Sequence, residues 1–217
     1  MVKMLFSKYT KFWTEFRNSL LKLEVNCIVA LNLEGKIAGF SGKPLKNVLV
    51  IGIGGSYLGI EFAYEAMKLY GSCSEASKGR NIRFLANVDP NDFHRAIQGI
   101  DPEETLVVIN SKTFTTAETM LNARSARKWV LDHYVKIGEK IETEDQEAKV
   151  INYHMCAVST NLKDTAKFGI SEGRVFGFWD WVGGRYSVCS AIGILPLSLH
   201  FGFSIMREFL DGANYID

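Results

Sequence analysis

The sequence predicts a doubly wound α/β domain, about five parallel strands with helices on both faces. Three observations predict it. Short unbroken apolar runs, such as Val48, Leu49, Val50 and Ile51, suit strands buried on both sides. They alternate with longer segments of helical period, the pattern of a parallel sheet. Glycines and hydroxyl residues cluster directly after two of the runs, at 52–59 and 111–116, and open parallel sheets bind ligands at strand carboxyl ends.

Composition narrows the class without naming a function. The chain has 217 residues, 47% hydrophobic and 23% charged, enough to bury a substantial core. A net charge of +1 argues against a general nucleic-acid or membrane-surface binder, either of which needs a basic excess. Four cysteines (Cys27, Cys73, Cys156, Cys189) and four histidines (His94, His133, His154, His200) show no zinc-site spacing. Scattered thiols without a secretory signal read as reduced, buried and cytoplasmic. No run approaches the roughly 18 apolar residues of a membrane span.

Taken in order, residues 1–45 read as an N-terminal helical segment and an irregular linker. Ser7 suits an N-cap, and Tyr9, Phe12, Trp13, Phe16, Leu20 and Leu23 follow at helical spacing. Gly35, Gly39, Gly42 and Pro44 break the pattern. Residues 46–217 form the ligand-binding domain. Its first strand is 48–51, followed by a helix over 57–70 with Leu58, Phe62, Ala66 and Leu69 inward. Further strands are expected at 82–88, 105–109, 155–158 and, more weakly, 175–178. Helices are expected at 92–97, 116–134, 187–199 and 204–210, and residues 138–149, acidic and without a period, as an exposed loop.

Three segments carry chemistry. Gly52, Gly54, Gly55 and Ser56 let backbone approach a ligand at a helix start, where free N–H groups favour an anion. A dinucleotide fingerprint needs a third glycine where Tyr57 stands; Gly59 comes two positions late, and Asp89 follows the glycines by about 35 residues instead of about 20. A merely tight turn also remains open there. Ser111, Lys112, Thr113, Phe114, Thr115 and Thr116 bring four hydroxyls and an ammonium to a helix N-terminus, which suits a phosphate dianion; one hydroxyl would suffice for capping. Gly183, Gly184 and Arg185 follow an aromatic run, 176–181, that reads as core more than as a binding platform. Arg185 keeps its charge and can stabilise an oxyanion, or it simply pairs with a carboxylate such as Asp180. Glu118 occupies the first turn after Thr116, where the helix dipole alone favours an acid. The histidines, without partners at fixed spacing, read as surface or satisfied core.

Together these segments resemble phosphoglucose isomerases. The likeness lies in Ile51-Gly52-Ile53-Gly54-Gly55-Ser56-Tyr57-Leu58-Gly59, in Ser111-Lys112-Thr113-Phe114-Thr115-Thr116-Ala117-Glu118-Thr119, and in Phe178-Trp179-Asp180-Trp181-Val182-Gly183-Gly184-Arg185-Tyr186-Ser187. It runs in register from about residue 46 to 217. The resemblance implies a sugar-isomerase domain of flavodoxin-like strand order, with extra N-terminal helices. It implies interconversion of glucose 6-phosphate and fructose 6-phosphate through a cis-enediolate, a step of glycolysis and gluconeogenesis, with neither metal nor nucleotide cofactor. It places the phosphate on Ser56, Ser111, Thr113 and Thr116 with Lys112 beside them, and Arg185 near C1 and C2. Gly55, Phe114, Thr115 and Gly184 belong to the same substrate-binding loops, and Glu118 orients a ring-opening histidine. Tyr57, Ala117 and Cys189 replace residues common in the family, none required by the phosphate chemistry.

The resemblance also implies that the catalytic base and the ring-opening histidine lie beyond residue 217, in a homodimeric parent enzyme. The chain alone is therefore expected to bind sugar phosphate weakly, if at all, and not to isomerise it. The apolar stretch 192–203 is the expected exposed surface, through which the chain would self-associate. The rival readings are a non-catalytic sugar-phosphate-binding domain, which would not need Arg185, and a nucleotide-dependent oxidoreductase, disfavoured by Gly59.

Overall fold

The structure, a computed structural model, describes residues 37–179 and 181–216. The helix expected from Ser7 onward, and Asp180, lie outside them. Five strands, β1 (Asn47–Ile51), β2 (Asn81–Leu85), β3 (Thr105–Asn110), β4 (Met155–Val158) and β5 (Val175–Phe176), form one sheet in the order β2-β1-β3-β4-β5. Every pairing is parallel. All residues of β1 and β3 are buried, because alternate side chains enter cores on opposite faces. Val48, Val50, Leu106 and Val108 enter one; Leu49, Ile51, Val107 and Ile109 enter the other.

Helices α1 (Leu58–Met67) and α2 (Gly71–Ala76) cover the first face, α3 (Pro90–Ile97), α4 (Ala117–Lys136) and α5 (Glu144–His154) the second. The short α6 (Leu162–Phe168) follows β4 and contributes Phe168 to the second core. Helices α7 (Ala191–Phe201) and α8 (Phe203–Ile216) return to the first face. Cys73 and Cys156 are buried free thiols, and burial pushes the Cys156 thiol up to about 12.

Four expectations need correction. Leu58, Phe62 and Leu69 are 61%, 76% and 86% exposed, while Ile60 and Ala63 are the buried residues of α1. Two stripes of apolar residues compete on this helix, and Ile60, Ala63, Tyr64 and Met67 face the core. Residues 138–149 are not simply a loop. Thr143 and Gln146 form a capping box that starts α5 inside that acidic stretch. The second strand ends at Leu85 because Asp92 Oδ2 takes the N–H groups of Ala86 and Asn87, at 3.2 and 3.0 Å, away from a ladder. Finally, the stretch expected to lie exposed is the interior of the first layer: every residue from Ala191 to Phe201 is buried. It packs between the sheet, α1 and α8, so it offers no surface for self-association. Helices α2 and α6 were not anticipated.

Candidate functional site

The chain leaves β1 towards β2 on one side and returns to β3 on the other, so the strand order reverses between β1 and β3. Ile51 and Ile109 are register partners at that reversal. The Gly52–Ser56 and Ser111–Thr116 segments therefore leave the sheet side by side, at the crevice where open α/β sheets bind ligands.

The glycine loop owes its shape to missing Cβ atoms. A Cβ on Gly52 would lie 2.4 Å from the Ser56 carbonyl oxygen, and Gly54 has a φ of 56°. Gly54–Ser56 then make a 310 turn that opens α1 without any side-chain cap. Tyr57, at the position of a dinucleotide glycine, packs on Phe84 at 5.9 Å and donates its hydroxyl to Glu61. Gly59 has a packing reason: a Cβ there would meet Val188 Cβ at 3.1 Å.

The second loop is tied down by the end of β4. The Lys112 carbonyl accepts from the Ser159 and Thr160 hydroxyls, at 3.1 and 2.8 Å, and from the Thr160 N–H at 3.1 Å. Asn161 Nδ2 donates to the Thr113 carbonyl at 2.9 Å. Phe114 is held at a φ of 55°, which costs a side-chain-bearing residue about 1 kcal/mol or more. Its N–H donates to Ser111 Oγ at 3.1 Å, and its buried ring meets Phe168 edge to face at 5.7 Å. This inward anchor leaves Thr113 and Thr115 exposed on either side, their hydroxyl oxygens 2.7 Å apart. Thr116 is the N-cap of α4, yet its side chain makes no capping bond. Capping thus does not account for the four hydroxyls. Glu118 is exposed in the first turn of the same helix.

Arg185 enters through a 310 turn, Gly184–Cys189, packed directly on the glycine loop. A Cβ on Gly55 would lie 2.5 Å from Gly184 Cα and 2.6 Å from its carbonyl oxygen. The two backbones touch. Arg185 is exposed, with its guanidinium carbon 5.4 Å from the Tyr186 ring centroid. In the aromatic run before it, Phe176 is core, whereas Trp181 is 54% exposed and stacks on Trp179 at 5.4 Å.

The structure thus sets the glycine loop beside both of the other segments singled out in the sequence: next to Ser111–Thr116 at the ends of β1 and β3, and against the Arg185 turn through Gly55 and Gly184. The supports were missed: Ser159, Thr160, Asn161 and Asn110. Ser159 and Thr160 follow a strand just as Ser111 and Thr113 do, and that cue was available. His154 is satisfied core, with Nδ1 2.9 Å from the Thr105 carbonyl oxygen and Nε2 2.8 Å from the Tyr134 hydroxyl. Asp101, Glu103 and His133 bring possible metal-ligand atoms within 4.8 Å of one another. The Lys43 ammonium lies 3.2 Å from Asp101 and 2.7 Å from Glu103, and it pulls the Glu103 carboxyl down to about 2. That cluster is an ion-pair network.

A family model described as phosphoglucose isomerase matches residues 24–217. The cytosolic glucose-6-phosphate isomerase of Arabidopsis thaliana is 54% identical over 183 residues, covering 84% of this chain and 30% of that protein. The glucose-6-phosphate isomerase of Plasmodium falciparum is 52% identical over 200 residues, covering 84% of this chain and 32% of that protein. The chain therefore spans about a third of the length of these relatives. A crystal structure of a glucose-6-phosphate isomerase from Chlamydia trachomatis superposes with a TM-score of 0.67 at 30% identity, over 88% of this chain and 32% of that one. A hypothetical protein from Thermus thermophilus, 21% identical with a TM-score of 0.53, shares the fold. Matched by the family model along most of its length, and carrying the parallel sheet of a solved member, the chain belongs to the phosphoglucose isomerase family.

Proposed function

We propose that this chain supplies the phosphate-anchoring and oxyanion-stabilising part of a glucose-6-phosphate isomerase. The observation that supports the reading is the glycine loop lying beside the Ser111 loop at the β1–β3 strand ends and packing, through Gly55, on the Gly184 backbone of the Arg185 turn. The phosphate dianion is received by the hydroxyls of Ser56, Ser111, Thr113 and Thr116 and by the uncapped start of α4, with Lys112 beside them. That fixes the sugar at one end. Its C1 and C2 then fall to Arg185, whose permanent charge stabilises the oxyanions of a cis-enediolate without joining proton exchange. Glu118 orients the histidine that opens the ring. The chemistry calls for neither a metal nor a nucleotide.

Proton movement between C2 and C1 requires a carboxylate within hydrogen-bond reach of both carbons. No residue of this chain is assigned that step, so the 217 residues are expected to bind and not to turn over. The relatives named cytosolic support a cytoplasmic enzyme, and a homodimer is what the family resemblance implies for the whole protein. Among the described residues no helix is long and apolar enough to cross a membrane.

Isothermal calorimetry with 6-phosphogluconate, on the parent chain and on Ser111→Ala with Thr113→Ala, tests the anchoring. Binding by the parent that disappears in the double variant is expected. Equal binding by both would move the phosphate elsewhere.

A further inference from the structure

Asn110 ends β3 directly before Ser111 and is 1% exposed. A buried strand end favours an apolar side chain, so an amide there calls for a reason. Its Nδ2 donates to the Ile192 carbonyl at 3.1 Å and to the Ser56 carbonyl at 3.4 Å, while Oδ1 has no partner. Turning the amide over would set Oδ1 against two carbonyl oxygens, so those carbonyls determine its orientation.

The Ile192 carbonyl is available for a specific cause. Within α7 it would ordinarily accept from the N–H of residue 196, which is Pro196 and has none. The Ser56 carbonyl is tucked under Gly52, where a Cβ would come within 2.4 Å of it. Asn110 thus joins the glycine loop to the first turn of α7. That turn is in turn locked to the one carrying Arg185, because a Cβ on Gly193 would lie 2.2 Å from the Val188 carbonyl oxygen.

We propose that Asn110 is a positioning residue for the ligand site: its amide sets the register between the Gly54–Ser56 turn and the Arg185 turn, so that Ser56 and Arg185 serve one ligand. This role rests on the sugar-phosphate reading above. It is distinct from merely satisfying the carbonyl that Pro196 frees, and Pro196→Ala separates the two by returning a backbone N–H to Ile192.

The experiment compares the full chain with Asn110→Ala and with Asn110→Ala plus Pro196→Ala, by calorimetry with 6-phosphogluconate and by thermal melting. Affinity is expected to fall about five-fold or more in Asn110→Ala and to stay low in the double variant, although the melting midpoint recovers there. Affinity within about two-fold of the parent, or affinity that recovers with the midpoint, overturns the role. If the parent chain binds nothing, the phosphate reading rests on the family likeness alone, and hydrogen exchange on the free chains then decides the role of Asn110. The Ser56 and Tyr57 amides, bonded to Ile53 and Gly54 carbonyls at 3.1 Å, exchange faster in the double variant if Asn110 holds their turn. Equal rates overturn it.

Discussion

An alanine at position 55 would bring its Cβ within 2.5 Å of Gly184 Cα, whereas one at position 184 would come no closer than 3.6 Å to Gly55 Cα. The two glycines touch each other, yet only one of them is obligatory for the contact. Gly55→Ala is expected to cost about 1–3 kcal/mol by forcing the loops apart, and to weaken sugar-phosphate binding with it. Gly184→Ala should stay within about 0.5 kcal/mol of the parent. Urea unfolding of both variants checks the asymmetry, and equal losses would mean that the contact is not what shapes the site. The glycine and hydroxyl loops were legible because ligand chemistry concentrates distinctive residues at strand ends. Asn110 was not. Its reason lies in the missing N–H of Pro196, 86 positions on, and only the packing of α7 on β3 connects the two.

Among the helices, legibility followed the clarity of the period. Helix α4 was placed to within about two residues, whereas α1 shows two apolar stripes and the wrong one was assigned to the core. Burial of α7 on all sides was misread as exposure, because a helix without a polar face announces a partner and not where that partner comes from. Helix α5 was hidden by its acidic start, although Thr143 and Gln146 have the spacing of a capping box. The Thr143 hydroxyl accepts from the Gln146 N–H at 3.3 Å, and Gln146 Oε1 accepts from the Thr143 N–H at 3.1 Å. Thr143→Ala is therefore expected to cost about 1 kcal/mol, read from the denaturation midpoint. Thr143→Ser should restore most of it, since the hydroxyl and not the methyl group does the capping.

Acid stability belongs to the molecule entire, because its contributors lie on opposite faces of the sheet. His200, 5% exposed, is driven down from 6.5 to about 4 by burial and then by the charge of Arg80. His154 is also lowered, chiefly by burial, against a bond to the Thr105 carbonyl that favours its charged form. Its Nε2 accepts from the Phe40 N–H at 3.0 Å, so protonation would remove one of the bonds that hold residues 37–45 on the domain, alongside the Lys43 ion pairs. Both imidazoles take up protons more readily in the unfolded chain, so unfolding becomes easier as pH falls below 6.5. Their contribution is complete above 6.5; for His200 it is lost progressively towards pH 4, by roughly 3 kcal/mol. Glu103 works through the opposite ionisation: with its carboxyl lowered from 4.5 to about 2, it adds stability above 4.5 that disappears in stronger acid. Thermal midpoints are accordingly expected to be flat near neutrality and to fall steadily below 6.5, before any carboxylate titrates. His200→Phe tests the assignment. The Nδ1 of His200 has no partner to lose, and Arg80 donates to the residue's backbone carbonyl, which the substitution keeps. The variant should match the parent at neutral pH and lose less stability between pH 6.5 and 4. An unchanged slope over that interval would transfer the effect to His154, and His154→Gln should then flatten what remains.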